Sequence, residues 1–181
     1  FIDTPVLTIN AQAGNDQITL RTPAPNNAAW NVDVTIDGGT PSTDADRLVI
    51  ETPGQDAAIY TPGATADSGT LVIDEATNDS TITLNGIEEL RYDGESGNDT
   101  LTIVGTSGVD SIVYSPGDAA DEGSFRVNNL LAIRFEQLGS TGAIVVDGGG
   151  NNDTLVAAGT NGNDAFTVGN NGTRNTLDIT T

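Results

Sequence analysis

The chain has 181 residues, contains no Cys, His or Met, and carries a formal net charge of −20. The length allows one domain with a sizeable core, whereas the missing Cys and His exclude thiolate redox chemistry, Cys/His zinc sites and imidazole-dependent catalytic triads. A chain this acidic is unsuited to binding nucleic acid or an anionic membrane surface, and its expected partners are cations. No apolar run approaches the roughly 18 residues of a membrane span, so we expect no membrane insertion.

Short segments rich in β-branched residues at alternate positions follow one another along the chain and predict an all-β fold. Turn residues separate these segments, and 22 Gly with 7 Pro disfavour helices. In chain order, the clearest predicted strands are Val34–Ile36, Leu48–Ile50, Thr70–Ile73, Thr81–Leu84, Ser124–Val127 and Ala143–Val146.

One acidic, glycine-rich phrase recurs with little change. It reads DGESGNDTL at residues 93–101 and DGGGNNDTL 54 residues later, at 147–155, and Asp37-Gly38 opens a more diverged copy. The chain therefore divides into a partial repeat (1–36), two full repeats (37–92 and 93–146) and a second partial repeat (147–181). Stacked units of this length predict a parallel β-solenoid, either a β-helix or a β-roll, and a β-sandwich with internal repeats is the alternative.

The repeats place Asp residues at equivalent positions. Asp99 is predicted to stack over Asp46 and Asp153, and in the same way Asp110 over Asp56 and Asp164. Turn geometry alone explains such residues, because Gly reaches positive φ and Asp side chains bond nearby backbone. Calcium ligation is the other interpretation, and it is favoured because Asp outnumbers Glu by 19 to 7 and stacked carboxylates without a cation repel each other.

Four phrases support a family resemblance, namely Gly14-Asn15-Asp16-Gln17-Ile18, Gly97-Asn98-Asp99-Thr100-Leu101, Gly108-Val109-Asp110-Ser111-Ile112 and Gly162-Asn163-Asp164-Ala165-Phe166. They resemble the second half of the haemolysin-type (RTX-like) calcium-binding nonapeptide, and also the looser repeats of large secreted bacterial surface and adhesin-like proteins. Nonapeptides repeat every nine residues, whereas here paired Asp residues lie 11 apart, as from 99 to 110. The resemblance therefore implies calcium at isolated turns, with candidate ligands Asp46, Asp56, Asp93, Asp99, Asp110, Asp147, Asp153 and Asp164.

The predicted function is a non-enzymatic structural or adhesive module of a large bacterial repeat protein, secreted or at the cell surface. Its expected partners are calcium ions, cell-surface glycans or matrix, and neighbouring repeats of the same parent protein. A carbohydrate-binding or polysaccharide-degrading β-helix is the alternative, with Glu88 and Glu89 beside Asp93 as its candidate carboxylates. The even spread of acidic residues over the repeats favours the structural module.

Overall fold

The computed structural model describes residues 5–23, 30, 32–41, 45–74, 79–170, 172 and 175–180, and it contains no helix within them. The all-β prediction is thereby confirmed, and each of the six predicted strands is present with ends that agree within one residue. The strands are β1 (Val6–Asn10), β2 (Ala13–Gly14), β3 (Gln17–Arg21), β4 (Asp33–Asp37), β5 (Thr40–Pro41), β6 (Arg47–Glu51), β7 (Ala57–Pro62), β8 (Gly69–Ile73), β9 (Ser80–Asn85), β10 (Glu89–Asp93), β11 (Thr100–Val104), β12 (Ser111–Pro116), β13 (Gly123–Val127), β14 (Ile133–Glu136), β15 (Ala143–Asp147), β16 (Thr154–Ala157), β17 (Ala165–Asn170) and β18 (Asn175–Thr180).

Two seven-stranded sheets contain most of these strands. Sheet 1 has the order β1-β4-β9-β8-β7-β11-β15, and sheet 2 has the order β16-β12-β13-β14-β10-β6-β3. The remaining described strands form two small sheets, β17-β18 and β2-β5. Both large sheets are open, so among the described strands each sheet has two end strands with a single hydrogen-bonded neighbour, β1 and β15 in sheet 1 and β16 and β3 in sheet 2.

The chain alternates between the sheets and adds a three-stranded meander to each. The meander β7-β8-β9 is antiparallel within sheet 1, and β12-β13-β14 is its counterpart within sheet 2. The other pairings of the two large sheets are parallel, as between β11 and β15 or between β6 and β10. Each sheet is therefore mixed, because the repeat inserts a local meander between strands that come from distant parts of the chain.

This alternation explains what the 54-residue repeat relates. A shift of 54 residues moves β7 of sheet 1 onto β12 of sheet 2. Hydrogen-bonded parallel neighbours are separated by a different interval, since Thr100 lies opposite Ala57 and Ser111 lies opposite Thr154, both 43 residues apart. Residues that are equivalent in the repeat consequently lie in opposite sheets rather than on top of one another.

A single core lies between the two sheets. Alternate residues of each strand point inward, such as Val34 and Ile36 of sheet 1 and Leu48 and Ile50 of sheet 2, and they form one cluster of buried apolar side chains. The period of two that predicted the strands from sequence is thus the period that fills the core.

Candidate functional site: the buried acidic turns

The turns that precede the parallel strands are joined by hydrogen bonds between Asp residues. The backbone N–H of Asp56 donates to Oδ1 of Asp99 at 2.6 Å, and that of Asp110 donates to Oδ1 of Asp153 at 2.9 Å. Asp16 makes the same bond to Asp46 at 2.7 Å. Each acceptor carboxylate thus satisfies a backbone donor of the neighbouring turn, which fixes the register between adjacent parallel strands.

The predicted columns of Asp residues are wrong. Asp99 contacts Asp56 rather than Asp46 or Asp153, and Asp110 contacts Asp153 rather than Asp56 or Asp164. The cause is the alternation of the sheets, because a 54-residue shift crosses from one sheet to the other while bonded neighbours are 43 residues apart.

The Asp110 turn (residues 105–110) surrounds its carboxylate with donors. Thr106 donates its backbone N–H to Oδ2 at 2.7 Å and its hydroxyl to Oδ1 at 2.8 Å. Asn128 adds its side-chain amide at 2.6 Å. Asp110 is only 2% exposed, so these three donors compensate for the lost hydration of the carboxylate.

The Asp164 turn (residues 159–164) repeats this arrangement nearer the surface. The backbone N–H and the hydroxyl of Thr160 donate to the two oxygens of Asp164 at 3.0 and 2.9 Å. The shared sequence of the two turns is Gly-Thr-x-Gly-x-Asp, in which the Thr lies four residues before the Asp.

The Asp99 turn (residues 94–99) has the same glycine spacing but lacks that Thr. Asp99 is fully buried, its Oδ1 accepts the Asp56 N–H, and its Oδ2 has no partner. Glu95 replaces the Thr, and its side chain points outward to pair with Arg21. Glu95, Ser96 and Asn98 all adopt positive φ, which costs energy in non-glycine residues.

Burial changes the proton affinity of this turn. It raises the pKa of Asp99 to about 7, opposed by the hydrogen bond from the Asp56 backbone and assisted by the negative charge of Asp56. The pKa of Asp56 is also raised, first by burial and then by the charge of Asp74. Keeping the Asp56–Asp99 pair ionised therefore costs folding free energy, and binding of a proton or a cation would lower that cost.

Two of the candidate ligands, Asp93 and Asp147, serve as turn residues. Oδ1 of Asp93 accepts the backbone N–H of Glu95 at 3.0 Å, and Oδ1 of Asp147 accepts that of Gly149 at 2.9 Å. This is the Asx-turn geometry that the Asp-Gly sequence favours.

The eight candidate ligands therefore separate into two groups. Five of them are occupied in turns or by neighbouring backbone, namely Asp93, Asp110, Asp147, Asp153 and Asp164. The other three keep a buried Oδ2 without a hydrogen-bond partner, namely Asp46, Asp56 and Asp99, although Oδ1 of Asp46 and Oδ1 of Asp99 each accept a backbone N–H. Within the described ranges, no group of three or more His, Cys, Asp or Glu side chains is arranged to hold a metal ion.

The structure gives Glu88 and Glu89 separate roles. Oε2 of Glu88 accepts the backbone N–H of Asp46 at 2.9 Å, which continues the bonding seen between Asp turns. Glu89 forms an ion pair with Arg47 at 2.7 Å on the outer face of sheet 2. The two carboxylates are thus engaged with different partners.

Sequence reasoning missed Thr106, Thr160 and Asn128, which close the acidic turns. The two Thr residues could have been found, because both stand in Gly-Thr-x-Gly-x-Asp and a Thr hydroxyl and N–H readily bond a nearby carboxylate. Asn128 could not, since it reaches Asp110 from 18 residues further along the chain.

No family model, curated protein or solved structure matches the chain. Among the described residues, no helix has the length and apolar character needed to cross a membrane.

Proposed function

We propose that the chain is a non-enzymatic structural module, a β-solenoid-like segment of a large extracellular bacterial repeat protein. The observation that supports this role is the use of acidic turns as connectors. The carboxylates of Asp46, Asp99 and Asp153 each accept the backbone N–H of a neighbouring turn. Side chains employed in this way hold successive strands in register over the length of the sheets.

The distribution of charge supports the same role. Arg21 spans neighbouring strands by pairing with Glu51 at 2.8 Å and with Glu95, and Arg91 pairs with Glu136 at 2.8 Å. These exposed pairs are individually weak, but they link successive strands of sheet 2. Basic and acidic side chains are therefore spread along the sheet instead of converging on one point.

A tandem duplication of the chain tests the structural role. Small-angle X-ray scattering should show a particle about twice as long with an unchanged cross-section, because stacked repeats extend along one axis. The single chain should also release no reducing sugar from a panel of bacterial and plant polysaccharides. Turnover that disappears in Glu88→Gln, together with a compact duplicated particle, would contradict the proposal.

Calcium is proposed as a stabiliser of the Asp56–Asp99 pair, in which the pKa of both carboxyl groups is raised by burial. The unpartnered, buried Oδ2 atoms of these two residues favour it, since carboxylate oxygens are the ligands that calcium prefers. Backbone carbonyls and water would supply the remaining ligands of the usual six to eight. Binding to the folded state would then raise stability by mass action.

Thermal melts in calcium and in EGTA at pH 8 test this site. At a calcium concentration about 100 times the dissociation constant, stability rises by roughly 2.7 kcal/mol, or about 5–10 °C for a chain of this size. Asp99→Asn should remove most of the shift, whereas Asp164→Asn should retain it. An unchanged wild-type midpoint, with no heat in titration calorimetry, would exclude calcium and leave the hydrogen-bonded connectors intact.

A further inference from the structure

The described basic residues of this acidic chain all lie on one sheet. Five of the six Arg residues belong to strands of sheet 2, none belongs to a strand of sheet 1, and the sixth lies outside the described residues. Three of the five pair with Glu side chains, namely Arg21, Arg47 and Arg91. Arg126 of β13 and Arg134 of β14 are exposed, and neither forms an ion pair within the described part of the chain.

The register places Arg134 in a row of side chains on the outer face of sheet 2. Ser115, Ser124, Arg134 and Arg91 lie opposite one another on four successive strands, β12, β13, β14 and β10. Glu136 pairs with one guanidinium nitrogen of Arg91 at 2.8 Å, and Nε of Arg91 is buried without a partner. Arg134 therefore has a like charge opposite it, which destabilises a sheet, and no carboxylate of its own.

The first meander carries an uncharged row at the equivalent place. There Thr61, Thr70, Thr83 and Thr35 lie opposite one another on β7, β8, β9 and β4. The first two positions carry a hydroxyl in both rows, whereas the last two carry Thr in sheet 1 and Arg in sheet 2. Because the same strand pairing forms with Thr, the fold itself does not require the two Arg residues. An unfavourable pair that the fold does not require is typical of a functional site.

A cleft of about 240 Å³ opens beside Arg134. Ser115 and Ser124 contribute hydroxyl groups to its wall, and Glu122 and Glu136 contribute carboxylates. The cleft is smaller than the pockets of roughly 300–1,000 Å³ that hold drug-sized ligands, so it suits a ligand of about one sugar ring. A guanidinium binds a carboxylate through two parallel hydrogen bonds. Ser hydroxyls both donate and accept hydrogen bonds, and carboxylates accept them, so the rest of the wall suits a ligand rich in hydroxyls.

We propose that this cleft binds the carboxylate-bearing ring of an acidic saccharide, a uronate. Arg134 holds the ligand carboxylate, and Ser115 and Ser124 bond its ring hydroxyls. Glu122 and Glu136 accept hydrogen bonds from further hydroxyls. Charge favours this ligand over a phosphate group, because the two carboxylates of the wall and the net charge of −20 repel a doubly charged anion more strongly than a singly charged one. The site goes beyond the structural role, which stands whether or not a sugar binds.

Nuclear magnetic resonance titration of the ¹⁵N-labelled protein with simple sugars tests the site. D-glucuronate, D-galacturonate and D-mannuronate are each compared with the neutral hexose that has CH₂OH in place of the carboxylate. At least one uronate should bind with a dissociation constant of about 1 mM, and its neutral counterpart roughly tenfold more weakly. Added salt should weaken binding of the uronate, because salt screens exposed charges. Inorganic phosphate should bind more weakly than the uronate.

The same titration locates the ligand. The backbone amide signals of residues 115–117, 122–124 and 134–136 should shift together, and those of sheet 1 should not. No saturable shift with any of the three uronates up to about 10 mM would overturn the proposal. Equal binding of the neutral hexose, or tighter binding of phosphate, would overturn the uronate as its ligand.

A pair of Arg variants separates the cleft from the charge of the sheet. Arg134→Gln should weaken uronate binding roughly tenfold or more, and it should not lower the melting midpoint, since this side chain is exposed and unpaired. Arg47→Gln is the matched control, because Arg47 lies on the same outer face, pairs with Glu89 and does not line the cleft. Its uronate affinity should be unchanged. Binding that survives Arg134→Gln, or that both variants weaken equally, would overturn the assignment to this cleft.

Discussion

The Asp99 and Asp110 turns share the spacing Gly-x-x-Gly-x-Asp and bury their carboxylates almost equally, at 0% and 2% exposure. They nevertheless differ in how those carboxylates are satisfied. Asp110 accepts three hydrogen bonds from side chains and backbone, and Asp99 accepts one. The deciding position is the second residue of the turn, which is Thr106 in one and Glu95 in the other.

The difference extends to the backbone. Three residues of the Asp99 turn adopt positive φ without being glycine, namely Glu95, Ser96 and Asn98, whereas no residue of the Asp110 turn does. A buried charge with few partners and a strained backbone coincide in the first turn, and neither occurs in the second. Such strain persists where the surrounding structure enforces it, and it is typical of sites that bind or switch.

The largest expected effect comes from the tight stacking of the Asp99 turn. A β-carbon on Gly97 would overlap the carbonyl oxygen of Gly54, whereas one on the equivalent Gly108 would lie 3.4 Å from Oγ1 of Thr106. Gly97→Ala should therefore destabilise the fold by about 3 kcal/mol or more, and lower the melting midpoint by roughly 6–12 °C. Gly108→Ala should cost less than about 0.5 kcal/mol. Equal midpoints for the two variants would show that the turns containing Gly54 and Gly97 do not approach each other so closely.

The stability conferred by Asp99 should depend on pH. Because the folded-state pKa of Asp99 is raised to about 7 from 3.8, its contribution to stability is complete below about pH 4 and is lost as the pH rises through 7. That shift means that the buried charge of Asp99 costs roughly 4 kcal/mol of folding stability. Replacing Asp99 by Asn removes this cost, but it leaves an unsatisfied amide that costs about 2 kcal/mol. Asp99→Asn should therefore stabilise the protein by about 2 kcal/mol at pH 8 and destabilise it by roughly 1–2 kcal/mol at pH 4, where Asp99 is already neutral and only the cost of the amide remains.

Chemical denaturation at both pH values measures this difference. Asp118→Asn is the matched control, because it removes one negative charge from an exposed loop and leaves the buried turn unchanged. A stability gain for Asp99→Asn that is equal at pH 4 and pH 8, or no larger than that of Asp118→Asn, would contradict a strained charge at Asp99.

The strands could be predicted from sequence because their inward residues recur at every second position. Val34 and Ile36, for example, are both buried where the pattern placed them. The pairing of strands could not, since the repeat fixes which residues are equivalent but not which are neighbours. The 43-residue interval between Asp56 and Asp99 arises only when the chain alternates between two sheets.

The acidic turns were predictable in position and only partly in role. The Asp-Gly sequences at residues 93 and 147 form the expected Asx turns. For the buried Asp residues, the number of carboxylate oxygens available to a cation depends on which hydrogen-bond donors the fold brings to them from other parts of the chain. Asn128, which directly follows β13, adds a second donor to Oδ1 of Asp110, a contact that no local pattern contains.

The smallest effect should come from the hydroxyl that closes the Asp110 turn. Thr106→Val keeps the shape of the side chain and the backbone N–H bond to Asp110, but it removes the hydroxyl bonds to Asp110 and from Gly108. Because the Asp110 carboxylate is buried, this should cost about 1–2 kcal/mol. Thr160→Val removes the same two bonds from the exposed Asp164 turn, where water replaces them, so it should cost less than about 0.5 kcal/mol. Urea denaturation measures the loss of unfolding free energy in each variant. Equal losses would mean that the turn hydroxyls act through local geometry alone, and that burial does not separate the Asp110 turn from its exposed copy.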